Sequence, residues 1–172
     1  LARFSEAFLV LRAQQCGIPV AFVPLVLVAM NVVYSAAAYP FGRLSDRVSH
    51  AALLAASLIV LIGADLVLAS GRHWITLVAG VGLWGVHLGM SQGLLATMVS
   101  DVAPADLRGT AFGFFNLVSG GALLLASLAA GFVWSREGAR YAFLAGAAFC
   151  VLALASLLWR AVALRGSRVP GR

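Results

Sequence analysis

The chain has 172 residues, of which 62% are hydrophobic and 10% charged, and its formal net charge of +6 comes from twelve Arg and no Lys set against six acids. With a mean hydropathy of +1.00, it has too little polar surface for a water-soluble domain. The Arg residues stand singly or in small groups at the ends of long apolar runs, which excludes the basic groove of a nucleic-acid binder.

A hydrocarbon core of about 30 Å requires about 20 apolar residues per helix. Residues 1–13 are apolar but too few to cross, so they read as the outer end of a span that begins upstream, and the chain as a piece of a longer protein. The basic start and cleavage site of a secretory signal do not open it. Complete spans follow at 18–41, 51–70, 74–99, 110–134 and 141–163. Pro19 and Pro24 fall in the first turns of their helix, where a missing N–H costs least, and Pro40 falls near its end. The connections at 42–50, 71–73, 100–109 and 135–140 are short. Tight loops require antiparallel neighbours, so the fold class is an all-α polytopic transmembrane helical bundle. Cys16 lies in the first loop and Cys150 about ten residues into the last span, on the order of 13 Å deeper, so no disulfide joins them. Both read as small apolar filler.

Arg placement orients the bundle. With loop 42–50 in the cytoplasm, Arg43, Arg47, Arg108, Arg160, Arg165, Arg168 and Arg172 lie inside, and Arg12, Arg72, Arg136 and Arg140 outside. The C-terminal tail is then cytoplasmic, where its charges meet anionic headgroups.

Within the spans, Gly82, Gly85, Gly89 and Gly93 fall within roughly 80° of one another on a helical wheel, and Gly109 and Gly113 repeat the spacing on the next helix. Such stripes let membrane helices approach closely. Ionisable and polar groups at mid-depth are the candidates for function. If Arg12 marks the outer interface, Glu6 lies about 9 Å and Arg3 about 14 Å below it. Three residues apart on a helix, they share a face and can pair, either as a structural ion pair or as a substrate or proton site. His87 is central in its span and shares a face with Trp84 and Ser91, opposite the glycines; it is either a satisfied core residue or a cavity or relay group. Asn31 is also central, and Asn116, Ser119, Gly120 and Ser127 form a small polar stripe; interhelical hydrogen bonding and ligand binding account equally for these. Asp65, near the outer end of its helix, is placed to reach headgroups or Arg72, with a coupling role as the alternative. Gly89 to Gly93 match G-x-S-x-G, but inside an uninterrupted apolar run they lack the strand-to-helix turn that exposes a nucleophile. The chain reads as no enzyme, with no metal spacing and no cofactor motif.

Gly42-Arg43-Leu44-Ser45-Asp46-Arg47, between two spans, follows the G-x-x-x-D-R core of a loop signature, and residues 98–132 resemble a tenth-to-eleventh helix region. On these the chain resembles the major facilitator superfamily, in particular bacterial drug or metabolite transporters. After Arg47 the fuller signature would continue with Gly and a basic pair, where Val48-Ser49-His50-Ala51 stand here. The resemblance implies that residues 1–172 are the C-terminal six-helix half of a twelve-helix secondary transporter in a bacterial inner membrane. It further implies proton-coupled alternating access for a small organic solute or drug, with an N-terminal half as partner against which Gly42, Asp46 and Arg47 act. Helices seven, eight, ten and eleven then approach the cavity, bringing Arg3, Glu6, Asn31, Trp84, His87 and Asn116 to it, with Glu6 titrating and Arg3 as its partner or as the contact for a substrate anion. The alternative class is a non-transporting scaffold assembled through the glycine-rich faces.

Overall fold

The computed structural model describes residues 3–166. Six α-helices follow in order: α1 (Ala7–Gln15), α2 (Val23–Ser45), α3 (His50–Ser70), α4 (Trp74–Val102), α5 (Arg108–Glu137) and α6 (Ala139–Gly166). Among the described residues five helical segments, containing α2 to α6, are long and apolar enough to cross a membrane. Arg168 and Arg172, counted above as cytoplasmic, lie outside the described residues.

Local chemistry sets the helix ends. Single 3₁₀ turns at Val20–Phe22 and Ala105–Leu107 lead into α2 and α5. The Ser49 hydroxyl accepts from the Ala52 N–H at 3.3 Å and His73 Nδ1 accepts from the Ile75 N–H at 3.3 Å, each meeting an otherwise orphaned donor at a helix start. Between α5 and α6 the chain turns on Gly138 alone, at φ +93, a conformation that glycine adopts without strain. The α2 helix continues through Pro40 to Ser45, so the first half of the GRLSDR segment is helical and the connection to α3 is shorter than the hydropathy pattern marks.

Helix α4 is the centre of the bundle, packing extensively against α2 and α3; α3 in turn packs against α6, and α6 against α5. The glycine stripe divides. A Cβ on Gly85 would lie 2.7 Å from the Met30 carbonyl oxygen, and one on Gly89 2.6 Å from Ala37 Cβ, so these two let the backbones of α2 and α4 meet. Gly82, Gly93, Gly109 and Gly113 meet nothing within 4 Å among the described residues. Aromatic rings fill the interior: Phe4 stacks edge-on to Phe8 at 5.0 Å and to Trp84 at 5.4 Å, and lies 5.6 Å from Phe143. At one end of the bundle, the buried Arg12 of α1 donates to the Leu68 and Gly71 carbonyls at 2.7 and 2.6 Å, so a fixed cation caps the C-terminus of α3. Helix α5 buries only Ala126 and Ala130 and leaves most of its apolar length uncovered.

Candidate functional site

Two large cavities open on the bundle. One, of about 400 Å³ between α2 and α4, is lined by apolar residues such as Phe22, Val26, Leu77 and Val81, and offers no side-chain group to orient a solute. The other, of about 510 Å³, lies between α3, α4 and α5. Its floor is Leu54, Leu58 and Leu61 of α3, while His87, Ser91 and Gln92 of α4, Asn116 and Ser119 of α5, and Arg3 bring polar groups to it. An apolar cavity with a few convergent polar groups is the form of a small-molecule site.

The geometry of His87 follows from α3. Its Nδ1 lies 2.8 Å from the Ser57 carbonyl oxygen. A carbonyl only accepts, so Nδ1 carries the hydrogen and Nε2 is left to act toward the cavity as an acceptor. Arg3 enters from the segment preceding α1 and is half-buried. It makes no hydrogen bond or ion pair with any described residue, so all five of its N–H donors are available. Gln92 and Asn116 can each donate and accept. The cavity therefore presents one positive charge, several neutral polar groups and an apolar floor.

Arg3, His87 and Asn116 thus meet in this cavity, and the other proposed residues do not. Among the described residues no hydrogen bond or close ion pair joins Arg3 to Glu6, although the Glu6 charge still acts on Arg3. The shared face assumed a helix running through both, whereas α1 begins at Ala7 with Glu6 as its cap. The reason is local: the Ser5 N–H bonds to Ser127 Oγ of α5 at 3.0 Å and the Ala7 N–H to Ser5 Oγ at 3.2 Å, which take the place of helical bonds. Trp84 is fully buried against Phe4 rather than in the cavity lining. Asn31 lies on the exposed side of α2 and donates to the Leu27 carbonyl of its own helix at 2.8 Å. Gly42, Asp46 and Arg47 are exposed where α2 gives way to the connection with α3, and Gly42 meets nothing within 4 Å among the described residues.

Asp65 is the largest departure from the sequence reading. It is 0% exposed, and it reaches neither headgroups nor Arg72. Ser91 sits mid-helix and buried, with Gly89 of the same pentad pressed on α2, so no nucleophile elbow forms. Among the described residues no cluster of His, Cys, Asp or Glu is placed to hold a metal.

Helices long and apolar enough to cross a membrane thus enclose a cavity that joins an apolar floor to convergent polar groups, the form of a small-molecule site. The chain belongs to the Major Facilitator Superfamily, whose family model matches residues 5–171. It is 31% identical over 165 residues to an uncharacterized MFS-type transporter of Methanocaldococcus jannaschii, a match covering 92% of this chain and 41% of that protein. It is 29% identical over 119 residues to myo-inositol transporter 2 of Schizosaccharomyces pombe, covering 69% of this chain and 21% of that protein. The chain thus spans well under half the length of these relatives.

Proposed function

We propose that residues 1–172 form the C-terminal half of a proton-coupled secondary transporter, and that the 510 Å³ cavity is this half's share of its substrate site. In this reading the solute is small and organic and carries an anionic group. The observation that carries it is Arg3, a cation in the cavity wall that makes no hydrogen bond among the described residues and feels only the nearby charge of Glu6 in its own segment. A charge at membrane depth is cancelled by a partner or a ligand, and the planar guanidinium suits a carboxylate or phosphate. His87 Nε2, Gln92 and Asn116 then fix the uncharged part of the solute, and Glu6, half-buried at the cap of α1, carries a coupling proton. The yeast relative is named for myo-inositol; a neutral polyol would use the amides and hydroxyls but leave Arg3 uncompensated.

Alternating access requires a second half across the cavity mouth, and the uncovered faces of α2 and α5 with the open Gly42, Gly93, Gly109 and Gly113 are the surfaces it would meet. The cytoplasmic placement of the 42–50 loop and the bacterial inner membrane belong to the same proposal. A scaffold built on the α4 glycines has less to stand on, since Gly85 and Gly89 are already occupied by α2.

Flux into proteoliposomes tests the reading. The full-length protein is expected to take up a subset of labelled organic anions saturably, faster with an imposed pH gradient, and Arg3→Gln is expected to raise KM at least tenfold. Equal flux by wild type and Arg3→Gln would refute the assignment of Arg3, and uptake of neutral polyols alone would move the substrate to that class.

A further inference from the structure

We propose that Asp65 is a second proton-binding site, closed off from the cavity by the ring of Phe4. The site is built from one face of α3. Leu54, Leu58, Leu61 and Asp65 fall within roughly 60° on a helical wheel, so the row of leucines flooring the cavity runs directly into the carboxyl, one turn beyond Leu61. Phe4 follows cavity-lining Arg3 in the chain but is not part of that lining; with Gly146 it lines a smaller cavity of about 70 Å³ between α5 and α6.

Glycine makes this closure possible. A Cβ on Gly146 of α6 would lie 2.6 Å from Phe4 Cε1 and 2.8 Å from Asp65 Oδ2, so the ring edge and the carboxyl converge on the space its missing side chain leaves. Asp65 is 0% exposed there, and neither of its oxygens has a hydrogen-bond partner. Trp84 Nε1, whose ring packs on the other contact of Phe4 at 5.4 Å, is buried without an acceptor. One aromatic ring therefore packs on a residue with an unused donor and converges on Gly146 with a residue that has an unused acceptor. Buried polar groups left in that state are rare and mark positions where something else binds.

Among the described residues no cation bonds to Asp65. Arg3 and Glu6, from the segment leading into α1, form no bond with it, and Arg12 is committed to the Leu68 and Gly71 carbonyls. On α4, His87 is turned to the Ser57 carbonyl, and on α6 the buried Cys150 carries a thiol rather than a cation. A carboxylate at this depth persists when its charge is cancelled, and the agent left to cancel it is a proton. Phe4 stands before the first turn of α1, in a segment tied through Ser5 to Ser127 rather than by a helical ladder, so it can swing aside without unwinding a span. With the ring withdrawn, hydronium in the cavity gives its proton to the Asp65 carboxylate, leaving water and the neutral acid; with the ring restored, the proton is held.

The transport reading above supplies the use of this proton, but its occupancy can be read without any solute. Infrared spectra of the full-length protein in lipid are expected to show a protonated-carboxyl C=O band that persists in Glu6→Gln and disappears in Asp65→Asn. In Phe4→Ala the same band is expected to shift several-fold faster on transfer to deuterated water. A band unchanged in Asp65→Asn, or absent in wild type at every pH, would overturn the site. If Asp65→Asn does not fold, dicyclohexylcarbodiimide, which modifies protonated buried carboxyls, is applied to wild type: an adduct on Asp65 is expected, and an adduct on Glu6 with none on Asp65 refutes the proposal. A folded protein that keeps the band but moves no solute refutes the transport reading alone; one that accumulates solute without the band refutes this site alone.

Discussion

Replacing Gly89 with Ala should destabilise the bundle, while the same change at Gly82, seven residues away on the same helix, should not. At Gly89 the added methyl would lie 2.6 Å from Ala37 Cβ and 3.0 Å from both the Ala38 nitrogen and the Tyr34 carbonyl oxygen. Unstrained carbon contacts lie at about 3.5–4.0 Å, and two of these neighbours are backbone atoms that no rotamer change can move. The helices must separate by on the order of 1 Å along their best-packed line, and overpacking of this kind costs about 1–3 kcal/mol. Ala gains about 1 kcal/mol over Gly in helix propensity, which offsets part of that cost at Gly89 and acts unopposed at Gly82, where nothing lies within 4 Å. A net loss of up to about 2 kcal/mol at Gly89, against a gain of about 1 kcal/mol at Gly82, separates the two thermal midpoints by several degrees. The assay is the fraction of full-length protein in detergent that survives a heating series, read by size-exclusion chromatography. Equal midpoints for Gly89→Ala and Gly82→Ala would refute the claim that Gly89 is where α2 and α4 touch.

Further outcomes follow from two other contacts. Arg12→Ala removes two charge-assisted bonds to carbonyls at the buried end of α3; at about 1.5–3 kcal/mol for such a bond the loss is at least about 3 kcal/mol, and Arg12→Lys should recover part of it in the same heating assay. Cys16, half-buried in the outer loop, should react with a membrane-impermeant maleimide added to intact cells, whereas the fully buried Cys150 should react only after unfolding. Burial raises the Cys16 thiol pKa above its ordinary value, with Arg12 and Arg72 pulling the other way. Its thiolate fraction is therefore low at neutral pH, and the labelling rate should keep climbing with pH after an open thiol has levelled off.

Apolar run length was enough to find the five spans, because the bilayer sets a helix length that sequence shows directly. Their ends shifted where local bonding outweighed hydropathy, as with α2 running through Pro40 to Ser45. Depth likewise brought Arg3, His87 and Asn116 to one level, and packing then placed them in one cavity. Depth cannot say which way a residue faces: Asn31, equally central, lies on the outside of α2, and Trp84 went to the aromatic core. Arg3 and Glu6 do not share a helical face, because the Ser5 N–H between them is taken by Ser127 on a distant helix. Asp65 lies five residues before the end of α3, a distance that by itself points to headgroups. Its alignment with Leu54, Leu58 and Leu61 was a legible sign that it faces inward, whereas its meeting with Phe4 at Gly146 depends on tertiary packing alone.

The most direct test of the cavity as part of an alternating path is the labelling of Asn116→Cys in a full-length protein otherwise free of cysteine. In inside-out and right-side-out vesicles, a water-soluble thiol reagent is expected to modify this position from both sides, with a transported solute changing the ratio of the two rates. Modification from one side only, at a rate that no solute alters, would contradict the account.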